Sequence, residues 1–300
     1  MRAAVYPAGR HDVHREGNVE IKYMGQMTMR WEGREKLPSA RKPRTVLALL
    51  LLNDKTPVTT SALITELWGE NPPRSALTTL QTYILQLRKC LAAMSGRSLA
   101  CISEKTLVTW PCGYLLRLPA DATSDVAEFR RFAREGREAE RRGHLAEAVR
   151  SYRAALALSQ GPLFADIEHG PLLRAEAVRM EECRLSLVER SIEGDLLLGR
   201  HREVVSELSA LVAQYPYHEQ LTGQLMVALV RCGRRQDALA VHQRLRARMV
   251  EDLGLEPSSH LRALQSAVLS GEPLPGPPGT GGEIPTPYAG AFATAARSHD

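Results

Sequence analysis

The chain lacks any apolar run long enough to cross a bilayer: the longest, Val46–Leu52, has seven residues, against the ~18–20 that a membrane helix needs. Met1–Arg10 holds no apolar signal core, so no membrane partner is expected and the chain is expected in the cytoplasm. Its five cysteines, Cys90, Cys101, Cys112, Cys183 and Cys232, are odd in number and contain no C-x-x-C pair. That argues against a disulfide framework and a zinc ribbon, and the five are expected to be reduced, mostly buried thiols. The phosphate-loop, nucleophile-elbow, dinucleotide-fingerprint and H-E-x-x-H patterns are all missing, and nine scattered histidines give no ligand spacing. No enzyme, no cofactor and no metal is therefore expected. Asp166, Glu168 and His169 lie close together, but three polar residues in a loop point to capping and solvation before they point to a hydrolase.

What the chain does hold is an uneven charge. With 300 residues, 44% apolar and 24% charged, and a net charge of +5, it has room for two or three domains. Residues 21–120 carry 14 Lys and Arg against 6 Asp and Glu, whereas residues 121–271 carry 21 against 22. All six lysines lie in the first 105 residues. A basic front part beside a neutral one suggests a polyanion-binding module joined to something else. The alternative is a basic domain that binds nothing.

Periodicity divides the chain further. Residues 1–18 have no apolar period and are expected to be a disordered extension. Val19, Ile21 and Tyr23, then Met27, Met29 and Trp31, alternate with polar residues, which predicts two strands and a third at Glu35–Leu37. Pro43 suits a first helical turn, and Thr45–Leu52 makes an apolar core helix. A helix over Ala62–Trp68 capped by Thr59 or Thr60, a turn at Gly69–Pro73, a helix from Arg74 to Met94, a β-prone Leu99–Ser103, and a hairpin of Leu107–Trp110 with Tyr114–Leu118 follow. Strands, three helices and a hairpin over 19–120 have the layout of a winged helix-turn-helix. From 121 to 271 only amphipathic helices are expected. The pattern Gly143-x-x-x-Glu147-Ala148-Val149 recurs at Gly199 and at Gly233, and the last two glycines stand 34 residues apart, the tetratricopeptide period. Each glycine is expected to make the turn between two antiparallel helices. Residues 272–300, with six prolines and five glycines, are expected to be a disordered tail. The fold class is therefore mainly α with a small β component, a winged helix-turn-helix followed by an all-α tetratricopeptide-like repeat domain.

The helix from Arg74 to Met94 is the most informative element. Leu77, Leu80, Ile84, Leu87 and Leu91 form one apolar stripe, and at 100° per residue the opposite face carries Ser75, Thr78, Thr79, Thr82, Gln86 and Lys89, flanked by Gln81 and Tyr83. Its 21 residues contain no Asp or Glu. A helix without carboxylates enters a major groove without repelling phosphates, glutamine pairs with adenine, and threonine methyls meet the thymine methyl. The bland alternative is an exposed polar face that happens to lack acids. Arg41, Lys42 and Arg44, around the start of the first helix, would offer cations and free N–H groups to phosphate, or would simply be a solvated charge run. Trp110, beside the turn Pro111-Cys112-Gly113, would sit on a wing or pack on the core.

The stretch Leu67-Trp68-Gly69-Glu70-Asn71-Pro72-Pro73-Arg74-Ser75-Ala76-Leu77-Thr78-Thr79-Leu80-Gln81-Thr82-Tyr83-Ile84-Leu85-Gln86-Leu87-Arg88-Lys89 resembles the Streptomyces antibiotic regulatory proteins. The resemblance runs from about Val19 to Gly271 and includes Gly113-Tyr114-Leu115-Leu116, Glu193-Gly194-Asp195-Leu196-Leu197-Leu198-Gly199-Arg200-His201 and Leu253-Gly254-Leu255-Glu256-Pro257. It implies an OmpR-like winged helix followed by a bacterial transcriptional activation domain. It also implies an activator of secondary-metabolite genes that binds direct repeats in double-stranded promoter DNA, with a second protomer on that DNA, and contacts RNA polymerase holoenzyme. By similarity, Thr82 and Gln86 would face bases, while Thr79, Tyr83 and Arg88 would meet phosphates. Leu85 and Gln86 depart from the family pattern, occupying positions that are often basic. Neither a phosphoacceptor receiver nor a nucleotide-binding module is expected in this chain. A helical-repeat receptor for a ligand or partner, with a basic domain that reads no sequence, is the competing reading.

Overall fold

A computed structural model describes residues 18–274. The extension expected at 1–18 and the tail expected at 272–300 lie, apart from their innermost residues, outside the described ones. The described residues form two compact units, 18–126 with 161–177, and 127–160 with 178–274.

In the first unit the period of two produces β1 (Val19–Lys22) and β2 (Thr28–Trp31), paired antiparallel with Val19 opposite Trp31. The third strand, β3 (Arg34–Glu35), is shorter and earlier than the expected Glu35–Leu37. α1 (Arg41–Leu52) begins before Pro43, which occupies its third position. β4 (Val58–Thr59) leads into α2 (Thr60–Trp68), whose first turn is capped by the Thr59 hydroxyl accepting from the Ala62 N–H at 3.1 Å. α3 (Ala76–Ser95) packs on α1 and α2 and buries Leu80, Ile84, Leu87 and Leu91, while α1 buries Leu47 and Leu50 and α2 buries Leu63. Leu77 is the exception to the expected stripe: it is 51% exposed, and Ala76 is buried in its place. The expected strand at Leu99–Ser103 is helical instead. The Ser98 hydroxyl accepts from the Cys101 N–H at 3.2 Å and starts α4 (Leu99–Cys101), which runs into a π-helical turn, Ile102–Thr106. β5 (Leu107–Trp110) and β6 (Gly113–Leu116) make the hairpin, with β4 on the far side of β6. β7 (Thr123–Ser124) adds to β1 in parallel.

Residues 161–177 complete this unit. Phe164 N–H donates to the Tyr23 carbonyl at 2.7 Å, and the two rings meet edge to face at 5.3 Å. Asp166 accepts the Met27 N–H at 2.8 Å and pairs with the Arg44 guanidinium. The His169 ring lies 3.3 Å from the Phe164 carbonyl. The carboxylate and imidazole weighed as a hydrolase pair are therefore bonded into the scaffold. The buried Glu66 carboxylate accepts the Leu172 N–H at 2.7 Å, at the start of a long helix.

The second unit is all helix: α5 (Asp125–Arg141), which begins in the first unit, α6 (Leu145–Leu158), α7 (Pro171–Leu197), also begun in the first, α8 (His201–Gln214), α9 (Glu219–Arg231), α10 (Arg235–Leu253) and α11 (Ser259–Ser270). Gly143, Gly199 and Gly233 adopt φ of +76°, +81° and +79°. After each, the next N–H reaches back five residues: His144 to Ala139 at 2.9 Å, Arg200 to Asp195 at 2.9 Å, Arg234 to Leu229 at 2.8 Å. The sequence repeat is thus one αL helix-ending motif made three times. Ile192, Leu208, Leu221, Met226, Ala228 and Leu264 fill the core. None of the five cysteines is in a disulfide, and none is fully buried: four are half-buried, and Cys112, at the hairpin turn, is exposed.

Candidate nucleic-acid interface

α3 divides by burial into two faces. Thr78, Gln81, Thr82, Leu85, Gln86 and Lys89 form a continuous exposed stripe at spacings of three and four, with Ser75 exposed just ahead of the helix. It carries no carboxylate. Thr79, Tyr83 and Arg88, expected on or beside this face, are half-buried along its margin, while Gln81 and Leu85 are more open than the residue count suggested. Thr82 returns its hydroxyl hydrogen to the Thr78 carbonyl at 3.1 Å, so its methyl is the part of the side chain without a helix partner.

The margin is built from a stack. Lys42 Nζ lies 4.6 Å from the Trp68 ring centre, and Trp68 stacks on Tyr83 at 6.5 Å with an interplanar angle of 19°. Three helices are joined this way, and the Lys42 ammonium is held over an aromatic face. Arg41 is exposed. Arg44, by contrast, is turned inward: its guanidinium pairs with Asp166 and donates to the Met27 carbonyl at 3.3 Å. The sequence did not signal this pairing, because Asp166 lies 122 residues away.

Arg88 joins the helix to the hairpin. Its Nε donates to the Leu107 carbonyl at 3.0 Å and one Nη to the Thr109 hydroxyl at 2.9 Å. Burial lowers its guanidinium from the ordinary value, with Tyr114 acting against that shift, and burial likewise raises the Tyr114 hydroxyl. Tyr114 is buried, whereas Trp110 stands 40% exposed beside the exposed Pro111 and Cys112. The hairpin is seated by Gly113: a Cβ there would lie 1.9 Å from the Val58 carbonyl oxygen. The site is a polar, acid-free helix ridge with a ring stack on one flank and a hairpin carrying an exposed tryptophan. Among the described residues, no group of His, Cys, Asp and Glu is arranged to hold a metal ion.

Residues 34–114 match the family described as the C-terminal part of transcriptional regulatory proteins, and residues 124–269 match the bacterial transcriptional activator domain. The chain is 42% identical to the regulatory protein DnrI of Streptomyces peucetius, over 92% of this chain and 100% of that one. It is 35% identical to the regulatory protein AfsR of Streptomyces coelicolor over 86% of this chain, but spans only 25% of that longer protein. A solved structure of Mycobacterium tuberculosis EmbR in complex with a low-affinity phosphopeptide superposes with a TM-score of 0.77 at 32% identity, covering 87% of this chain and 67% of that one.

Proposed function

The chain belongs to the Streptomyces antibiotic regulatory protein family of transcriptional regulators, and from that membership we propose that it activates a set of secondary-metabolite genes by binding direct repeats in their promoters and recruiting RNA polymerase holoenzyme. The observation that carries the reading is the acid-free stripe of Thr78, Gln81, Thr82, Leu85, Gln86 and Lys89 on α3. In the major groove, Gln86 and Thr82 read base edges, and Ser75, Thr78 and Lys89 extend the contact along the groove. Thr79, Tyr83 and the remaining Nη of Arg88 meet phosphates at the margin. Arg41 and Lys42 supply phosphate contacts beside α1, while Arg44, already matched by Asp166, fixes the start of that helix. Trp110 sets the hairpin against the neighbouring groove. We assign the reading of DNA to residues 19–120, and contact with the polymerase and with a second protomer to residues 121–271. The site of action is the nucleoid, inside the cytoplasm.

The test is footprinting of the whole chain on DNA upstream of neighbouring biosynthetic genes. Two protected half-sites in the same orientation, about one helical turn apart, are expected. A folded protein that protects no such fragment at low salt overturns the proposal.

A further inference from the structure

The helical unit contains a cavity of about 470 Å³ that the DNA-reading proposal does not use. It lies among α7, α9 and α11. Leu196, Val227, Leu261 and Leu264 make its walls. Charges at its edge come in both signs, the Glu193 and Glu219 carboxylates beside Arg231, and Glu219 already accepts the Ser258 N–H at 2.7 Å. Its volume falls within the range of small-molecule sites.

Two further observations distinguish it from a packing gap. The first is Gly223, in the middle of α9. Glycine weakens a helix interior relative to alanine, so such a residue needs a reason. Elsewhere in this unit packing supplies one: a Cβ at Gly136 would lie 2.4 Å from the Tyr152 ring, and one at Gly194 would lie 2.3 Å from Val149. At Gly223 the same Cβ would make ordinary contacts, 3.5 Å to Leu261 and 3.7 Å to Leu264. Packing does not demand a glycine at 223, and the missing side chain leaves the cavity open. The second is Gln224, which also lines the cavity and is 8% exposed. Its Nε2 donates to the Glu189 carbonyl at 2.9 Å, but its Oε1 is buried without a hydrogen-bond partner among the described residues. A buried acceptor left unmatched is uncommon and calls for a donor.

We propose that this cavity is a binding site for a neutral, largely apolar small molecule carrying a hydroxyl or amide donor, with Gln224 Oε1 accepting from it and Gly223 making the room. The idea is independent of DNA recognition, and its test involves no DNA. The full chain is titrated with Nile red, followed by displacement with 1-naphthol and with naphthalene, which differ by one hydroxyl. One dye per chain is expected, with slowed hydrogen exchange in α7, α9 and α11, and with 1-naphthol displacing the dye at lower concentration than naphthalene. Gly223→Leu, which fills the cavity, is expected to weaken dye binding by at least about tenfold, and Val227→Phe provides a second block should the first variant fail to fold. Gln224→Leu is expected to bind the dye and to lose the preference for 1-naphthol. Absence of dye binding to the wild type, undiminished binding by a folded cavity-filled variant, or protection confined to other helices overturns the proposal; equal displacement by the two naphthalenes overturns its donor.

Discussion

Gln86 and Arg88 stand two positions apart on α3 in different surroundings, and under the proposed function the difference is measurable. Gln86 is exposed with no partner among the described residues, whereas Arg88 is held by Leu107 and Thr109 of the hairpin. Gln86→Ala is expected to relax preference at one base position, by roughly 1–3 kcal/mol of discrimination. Arg88→Ala is expected to weaken binding to every sequence alike. A gel-shift panel of single-base operator variants separates the two, and identical profiles count against the assignment. The exposed stripe was legible because residue type and spacing alone define it. The inward turn of Arg44 was not, because it depends on a partner remote in sequence. A second residue, His242 of α10, is 1% exposed, with neither ring nitrogen meeting a partner among the described residues. Burial first, then Arg246, lowers its imidazole below the ordinary value, against the opposing pull of Glu256 and Glu219. A depressed histidine favours the folded chain fully above its unfolded value of about 6.5, and that contribution is lost as pH falls toward the folded value. His201 and His218 act in the same sense, while Glu189, pushed up to about 7 by burial, acts in the opposite one. Denaturant unfolding is therefore expected to show His242→Leu more stable than the wild type by about 1–3 kcal/mol at pH 5.5, with a shallower loss between pH 7.5 and 5.5. An unchanged pH profile would show that His242 is not the residue responsible.

At the scale of the element, local chemistry and long-range packing compete, and where they agree the sequence predicts well. The three glycine turns of the second unit reproduce one hydrogen-bond pattern because the requirement for an αL residue is local. The segment after α3 was misjudged for the complementary reason: β-prone Leu99–Ser103 is outweighed by a capping serine and by burial of Ile102. The hairpin shows the same balance. Its turn residues announce it, but its position depends on β6 lying against β4, and Gly113 permits that contact. Gly113→Ala places a methyl within 1.9 Å of the Val58 carbonyl. The backbone must move, and a loss of about 1–3 kcal/mol in stability is expected, together with weaker binding to all DNA, because Arg88 is anchored on the same hairpin. Denaturant unfolding and gel shift on one preparation check both. A stable variant with reduced affinity would separate the wing from the fold, and no change in either would refute the close approach.

For the whole molecule, the two-part plan was legible in the charge: 14 cations against 6 acids over residues 21–120, near balance afterwards. The return of residues 161–177 to the first unit was not, because Phe164 and Ala165 are held by backbone bonds to Tyr23 and Gly25 that leave no period in the sequence. The distribution of charge also shapes how DNA would be held. If the cationic unit meets phosphates, the logarithm of affinity falls linearly with the logarithm of salt, with a slope near 0.9 per phosphate contacted. Arg41→Ala and Lys42→Ala are then each expected to reduce that slope by about one without altering base preference. Direct repeats add a geometric condition. Two identical readers on repeats of the same orientation present unlike surfaces to each other, and those surfaces meet only if both sit on one side of the duplex. A centre-to-centre spacing of about 10–10.5 bp satisfies this. Inserting about 5 bp turns the second half-site to the opposite side, and inserting about 10 bp returns it. Quantitative footprinting at fixed salt is expected to show cooperative filling of both half-sites at the natural spacing, independent filling with the half-turn insertion, and partial recovery with the full turn. Independent filling at all three spacings would mean that the protomers do not touch, and the proposed role of the second unit would then reduce to contact with the polymerase.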